Sequence, residues 1–164
     1  MANPASHKSD VQRTPLRAEL RSAAFSDHTT MPDRYSYDGG NVPPPLEWHG
    51  IPEDAAELVL LCEDLDAPGG PFTHWLLTGI APTATGFRAE ASPPRAVAGR
   101  NDFGEVGWSG PRPPVGDDPH RYFFRLYALD QPLGFTEETS VDVVRSDITD
   151  HVIASGTLVG LYAR

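Results

Sequence analysis

The run Gly110-Pro111-Arg112-Pro113-Pro114-Val115-Gly116 limits the folds open to this chain more than any other stretch. Proline fixes its own φ, removes a backbone donor and disfavours helical geometry in the residue before it, so neither a helix nor a central strand passes through here. What remains is a stiff, curved wall of the kind that suits a small-ligand pocket. The wall ends at His120-Arg121-Tyr122, where an imidazole, a guanidinium and a phenol arrive together. From there Tyr122-Phe123-Phe124-Arg125-Leu126-Tyr127-Ala128-Leu129 is rich in aromatic and strand-favouring residues and reads as a strand. Polar groups at the mouth of a strand can be held in fixed positions.

A second turn-rich block, Tyr37-Asp38-Gly39-Gly40-Asn41-Val42-Pro43-Pro44-Pro45, reads as a structured surface loop. Further strands are expected over residues 57–63, 74–80 and 157–162. Between residues 140 and 154 the apolar positions Val141, Val144, Ile148 and Val152 follow helical spacing, with Ser140 able to cap the start and Gly156 to end it. Leu16, Leu20 and Ala23 allow a short N-terminal helix, and residues 1–13 read as disordered. Strands first and a helix late predict a mainly β fold with peripheral helices, not an alternating parallel sheet.

At 164 residues and 39% hydrophobic, the chain supports one packed domain. Its 15 glycines and 17 prolines make that domain loop-rich without reaching low-complexity proportions. The net charge of -10 argues against nucleic acid or an anionic membrane surface as the main partner, because both need a basic face. Any anion site must therefore be local. In residues 1–24, Lys8, Arg13, Arg17 and Arg21 face Asp10 and Glu19, so this segment is net +2 and residues 25–164 are net -12. That contrast divides the chain into an N-terminal extension, 1–24, and a main domain, 25–164. No apolar run suits a signal peptide or a membrane span, so a cytoplasmic location without stable membrane insertion is expected. The lone Cys62 agrees, and it reads as a small buried side chain, not as a nucleophile.

The chemistry-bearing residues gather near strand ends. Asp64-Leu65-Asp66-Ala67-Pro68 follows the apolar strand, so two carboxylates emerge there and share one side by the two-residue period. The plainer alternative is a turn in which both carboxylates accept backbone N–H bonds. Six residues after Pro68, His74-Trp75 opens the next apolar strand. If these strands are neighbours, the imidazole lies near the carboxylates, and His120 and Tyr122 can join them from a third strand. Such a set can clasp a phosphate. It also supplies four ligands for a metal, but none has the short helical spacing of a specific metal motif, so no metal and no cofactor is expected.

These residues carry a resemblance. The chain is similar to the phosphatidylethanolamine-binding protein family, in its bacterial Raf-kinase-inhibitor-like branch. The match runs from Met31-Pro32-Asp33-Arg34-Tyr35 and Asp38-Gly39 through Pro44-Pro45-Leu46-Glu47-Trp48, the Asp64 to Pro68 motif and His74-Trp75. It continues through Asn101-Asp102-Phe103-Gly104, the stretch from Gly110 to Tyr122, Tyr127-Ala128-Leu129-Asp130, His151-Val152-Ile153-Ala154 and Leu158-Val159-Gly160-Leu161-Tyr162. The resemblance implies a β-sandwich of two packed sheets with a pocket at one end of the strands. By that resemblance the ligand-binding residues are Asp64, Asp66, Pro68, His74, Pro113, Pro114, His120 and Tyr122. It also implies a cis Ala67–Pro68 bond and a homodimer. The chain departs from the pattern at Leu65, where the family has proline, at Arg112, where bacterial members often have cysteine, and at Trp108, which replaces a tyrosine.

Three function classes follow. A phosphate about 4 Å from a carboxylate is repelled by roughly 4 kcal/mol at an effective dielectric near 20, so positive charge is required. Protonated His74 and His120 are expected to supply it, with the carboxylates raising their pKa and making binding of a small anionic or phosphoryl ligand pH-dependent. The first reading is therefore an anion-binding protein. The second is an isomerase, cyclase or hydrolase in which Asp64, His74, His120 and Tyr122 perform acid/base chemistry. No nucleophile elbow, phosphate-cradling glycine loop or cofactor fingerprint supports it. The third is a protein-interaction regulator, which rests only on the kinase-inhibitor name within the resemblance.

Overall fold

A computed structural model describes residues 14–164. The expected disorder of residues 1–13 falls outside them. The strands are β1 (Leu16–Arg17), β2 (Glu19–Arg21), β3 (Thr29–Thr30), β4 (Leu46–His49), β5 (Glu57–Asp64), β6 (Phe72–Ile80), β7 (Gly86–Phe87), β8 (Val97–Ala98), β9 (His120–Leu129) and β10 (Val152–Tyr162). The helix α1 spans Val141–Ile148, and a 3-10 turn covers Asp33–Tyr35. The larger sheet runs β1-β10-β9-β5-β6-β8 with β3 beside β10, and the smaller runs β2-β4-β7.

Strand β5 explains the layering. All eight of its residues are buried, because it lies centrally between β6 and β9 with covered faces on both sides. Leu58, Leu60 and Cys62 join Leu20, Leu46, Trp48, Phe87 and Phe124 in the core between the sheets. The alternate residues Val59 and Leu61 meet Val144 and Ile148 of α1 on the other face. A strand buried on both faces shows a continuous apolar run instead of an alternating one, as Leu58-Val59-Leu60-Leu61 does.

Three expectations are corrected here. The helix expected to run to residue 154 ends at Ile148, although Ser140 caps it as expected by accepting from the Val143 N–H. Val152 continues the apolar spacing because it packs on the same cluster as Val141, Val144 and Ile148, but it does so from β10. The pairing of β10 along β9, from Val152 opposite Leu129 to Tyr162 opposite His120, outweighs the local periodicity. The N-terminal helix is replaced by β1 and β2, with Leu16 exposed on the first, Leu20 buried on the second and Ala18 buried between them. Gly156 allows that approach, since a Cβ there would meet the Ala18 carbonyl oxygen at 2.6 Å. The third correction is the Ala67–Pro68 bond, which is trans: there is no cis peptide among the described residues. The Gly70 N–H donates to the Ala67 carbonyl, so Pro68 takes the second position of a β-turn, where a trans proline with its fixed φ belongs.

Candidate functional site

The end of the large sheet assembles the site. Asp64 is the last residue of β5 and pairs with Phe72 of β6 and Tyr122 of β9. Two residues along, on the same faces by strand alternation, stand His74 and His120. The strand ends thus place a carboxylate, two imidazoles and a phenol side by side.

The proline wall closes the other side because it is fastened at several points. Gly110 lies so close to the loop after the 3-10 turn that a Cβ would meet the Tyr35 carbonyl oxygen at 2.0 Å. Its N–H donates to Asn41 Oδ1 at 2.8 Å, and the Tyr37 N–H donates to the Pro111 carbonyl at 2.9 Å. From the C-terminus, Arg164 Nε donates to the Pro113 carbonyl at 2.6 Å. A pocket of about 210 Å3 results, lined by Asp64, Ala67, Pro68, Phe72, His74, Phe103, Arg112, Pro113, Pro114, His120 and Tyr122. Clefts of about 410 and 520 Å3 lie elsewhere and contain none of the expected site residues.

Seven of the eight residues expected from the sequence line the pocket; Asp66 does not. Strand β5 ends at Asp64, so the two-residue period that would place both carboxylates on one side stops before Asp66. The Asp66 N–H donates to Asp64 Oδ1 at 2.8 Å, while its carboxylate accepts from the backbone N–H, Nε and Nη2 of Arg121. The Arg121 hydrogen bonds are the main reason the Asp66 pKa falls to about 2. The turn reading thus describes both carboxylates, each of which accepts a backbone N–H, while Asp64 alone also lines the pocket.

The two histidines differ. His120 is bracketed by carboxylates, with Nδ1 2.6 Å from Asp64 Oδ2 and Nε2 3.1 Å from Asp117 Oδ2. Its burial opposes charge, but the bonds to Asp64 and Asp117 outweigh this and raise its pKa. His74 faces a carbonyl. Its Nδ1 lies 2.6 Å from the Ser109 oxygen, which only accepts, so Nδ1 carries the proton and Nε2 is bare in the neutral ring. Burial dominates here and lowers the pKa, against the partly opposing Ser109 bond and Asp64 charge. The expected raising of both histidine pKa values is therefore met at His120 and corrected at His74, where burial prevails.

Ser109 is itself held. Buried Asn101 donates to the Ser109 hydroxyl and the Gly107 carbonyl, and its own oxygen accepts from the N–H groups of Phe103 and Glu105. Phe103 then closes an aromatic side of the pocket, 4.8 Å between ring centres from Phe72 and 5.4 Å from His74. Phe72 could have been read from the two-residue spacing to His74, whereas Phe103 and Asp117 lie within motifs of the resemblance but nothing in their spacing brings them to the pocket residues. Tyr122 is fully buried, and its hydroxyl has no hydrogen-bond partner among the described residues. Burial first, and the nearby Asp64 charge second, push its pKa up, so the phenol keeps its proton.

The four ligands considered for a metal are not assembled. Asp66 is turned to Arg121, both His120 nitrogens face carboxylates, and His74 Nδ1 faces a carbonyl. Cys62 lies buried one strand turn below, where desolvation pushes its thiol pKa well up, as fits a packing residue.

Fold and pocket together define a class: a β-sandwich with a small, aromatic-walled pocket at one end of its larger sheet. The chain belongs to the phosphatidylethanolamine-binding protein family, whose model matches residues 21–163. A protein of Methanothermobacter thermautotrophicus is 43% identical over 150 residues, covering 88% of this chain and 98% of its own. A Mycobacterium tuberculosis relative named as a lipoprotein, LppC, is 36% identical over 145 residues, covering 86% of this chain and 72% of its own. The crystal structure of the Chlamydia trachomatis phosphatidylethanolamine-binding protein homologue CT736 superposes with a TM-score of 0.83 at 35% identity, covering 90% of this chain and 98% of that one. Escherichia coli YbcL gives the same TM-score and coverage at 29% identity. Among the described residues no helix is long and apolar enough to cross a membrane.

Proposed function

We propose that the protein binds a small oxyanion, inorganic phosphate or a phosphoryl head-group, in the pocket formed by Asp64, Pro68, His74, Pro113, Pro114, His120 and Tyr122. The observation that carries this reading is the Tyr122 hydroxyl, a buried, protonated donor without a partner on the pocket wall. Leaving such a group unpaired costs about 1–3 kcal/mol, which a ligand oxygen would recover. Membership of the family supports small-ligand binding in general. The Asp64 charge that would repel an anion is opposed whenever His120, 2.6 Å away and with a pKa raised by its carboxylate partners, is protonated. The volume supports a head-group, since about 210 Å3 equals roughly seven waters at ~30 Å3 each.

Calorimetric titration with inorganic phosphate and phosphoethanolamine tests the reading. Tyr122→Phe is expected to weaken binding by about tenfold or more, because a hydrogen bond to a charged acceptor contributes roughly 1.5–3 kcal/mol. No binding of either probe to the unmodified protein, or equal binding by the variant, overturns it.

Acid/base catalysis is the second reading, and the bare Nε2 of His74 favours it. His120 speaks against it, with both nitrogens committed to carboxylates. A substrate whose turnover is lost in His74→Gln while its binding persists would establish catalysis. The proposal further takes the protein to be a cytoplasmic homodimer, and light scattering that gives the mass of one chain would remove the dimer.

A further inference from the structure

Three basic side chains line the pocket: His74, His120 and Arg112. Two of them have no hydrogen left for a ligand. Both ring nitrogens of His120 face carboxylates, Nδ1 toward Asp64 and Nε2 toward Asp117, and its side chain is only 5% exposed. His74 gives its Nδ1–H to the Ser109 carbonyl.

Arg112 is different. Its guanidinium makes no hydrogen bond among the described residues. Its Nε forms an ion pair with Asp38 Oδ1 at 3.6 Å, too long for a hydrogen bond, and Asp38 is shared, its other oxygen being held by Arg164 Nη1 at 2.8 Å. The group rests 5.0 Å over the Tyr37 ring, which fixes its plane while leaving its edge N–H groups unspent. Its side chain is 48% exposed, and Arg112 lines the pocket while its guanidinium rests beside Tyr37 and Asp38, outside the lining, so it reaches a ligand by swinging through solvent.

Resting on the phosphoryl-binding reading above, we propose that Arg112 is the ligand-binding cation of this pocket and selects ligands with at least three unsubstituted phosphoryl oxygens. A guanidinium presents parallel N–H bonds that match two oxygens of one phosphoryl group. The Tyr122 hydroxyl, unpaired on the same pocket wall, takes a third. Inorganic phosphate offers four such oxygens, a phosphomonoester three, and a phosphodiester two. His120, shared between Asp64 and Asp117, then moderates the negative charge of the floor without donating to the ligand, and the exposed position of Arg112 lets the fork close on the ligand.

The test is calorimetry at about pH 7, above the second phosphate pKa of roughly 6, with inorganic phosphate, ethyl phosphate and diethyl phosphate as probes. The unmodified protein is expected to bind phosphate or ethyl phosphate at least tenfold more tightly than diethyl phosphate. Arg112→Ala should lose at least tenfold on the first two probes and clearly less on diethyl phosphate. Arg112→Lys keeps the charge but not the fork, so it should recover less than half of the loss in log affinity. Whichever of phosphate and ethyl phosphate binds more tightly identifies the free ion or the ester as the source. Unchanged affinities in Arg112→Ala, with an effect retained in Tyr122→Phe, overturn the Arg112 assignment while leaving the pocket reading standing. Equal loss on all three probes overturns the selectivity. Absence of binding to the unmodified protein removes the pocket reading, and this inference with it.

Discussion

His74 and His120 line one pocket, yet their surroundings push their protonation in opposite directions. His120 carries a raised pKa because hydrogen bonds to two carboxylates outweigh its burial. Its bonds therefore contribute stability fully below the unfolded value of 6.5, and that contribution is lost as pH rises through the raised folded value. His74 has a lowered pKa through burial, so its contribution is present above 6.5 and lost as pH falls through the lowered folded value. NMR titration of the imidazoles should find His120 above 6.5 and His74 below it, with Asp117→Asn lowering only the first. The reverse order would refute this account. Anion binding should follow His120: once it deprotonates, Asp64 is uncompensated, so affinity should fall between about pH 5.5 and about pH 8.5, the span that brackets an imidazole. Equal affinity at the two ends would show that His120 does not set the field.

At the scale of elements, β5 divides its carboxylates between two tasks. Asp64 faces the pocket, whereas Glu63, 1% exposed, faces the helix side and pairs with Arg125 of β9 and Arg145 of α1. A buried carboxylate needs such partners, so removing both guanidiniums should be far worse than removing the acid. Arg125→Ala combined with Arg145→Ala is expected to cost about 3–5 kcal/mol in urea denaturation, since it strands a buried charge. Glu63→Gln should cost clearly less, because the two guanidiniums are about one-third exposed and reach water. Similar losses in both would show that the cluster is not held by desolvation. Elements also show what could be read from the sequence. The apolar runs revealed β5, β6 and β9, because burial writes itself into local composition. Their polar ends were less legible: β9 begins at His120 and β6 at Phe72, two residues before the expected starts, since β pairing extends through side chains that also serve the pocket. Asp66 was misplaced because the strand period ceases at a boundary that only the turn decides. The cis expectation at Pro68 came from resemblance and met a turn that needs trans geometry.

For the whole molecule, charge suggested that residues 1–24 form an extension, but the packing of 16–21 ties that segment to both sheets. β1 pairs in parallel with β10, Leu16 opposite Ala154, and β2 pairs with β4, Leu20 opposite Trp48. The first contact joins residues more than a hundred positions apart and the second lies in the other sheet, so no local pattern in a sequence can announce them. The same holds for the pocket, whose walls come from β5, β6, β9, the loop bearing Phe103 and the proline run. Leu20 is the point where the segment enters the core, 5% exposed beside Trp48 and Leu46. Truncating it removes buried apolar volume between the two sheets, where neighbours on both sides are fixed by strand pairing and collapse only partly. Leu20→Ala should therefore cost about 2–5 kcal/mol of stability. Leu16→Ala, at a side chain 52% exposed on the adjoining strand, should cost well under 1 kcal/mol, as surface substitutions do. Chemical denaturation of the two variants measures the difference, and equal small losses would restore the segment to a mere appendage. If Leu20 behaves as expected, a chain that starts at residue 22 should lose cooperative unfolding at temperatures where the full chain keeps it, because the β10 edge and the inter-sheet core are opened together.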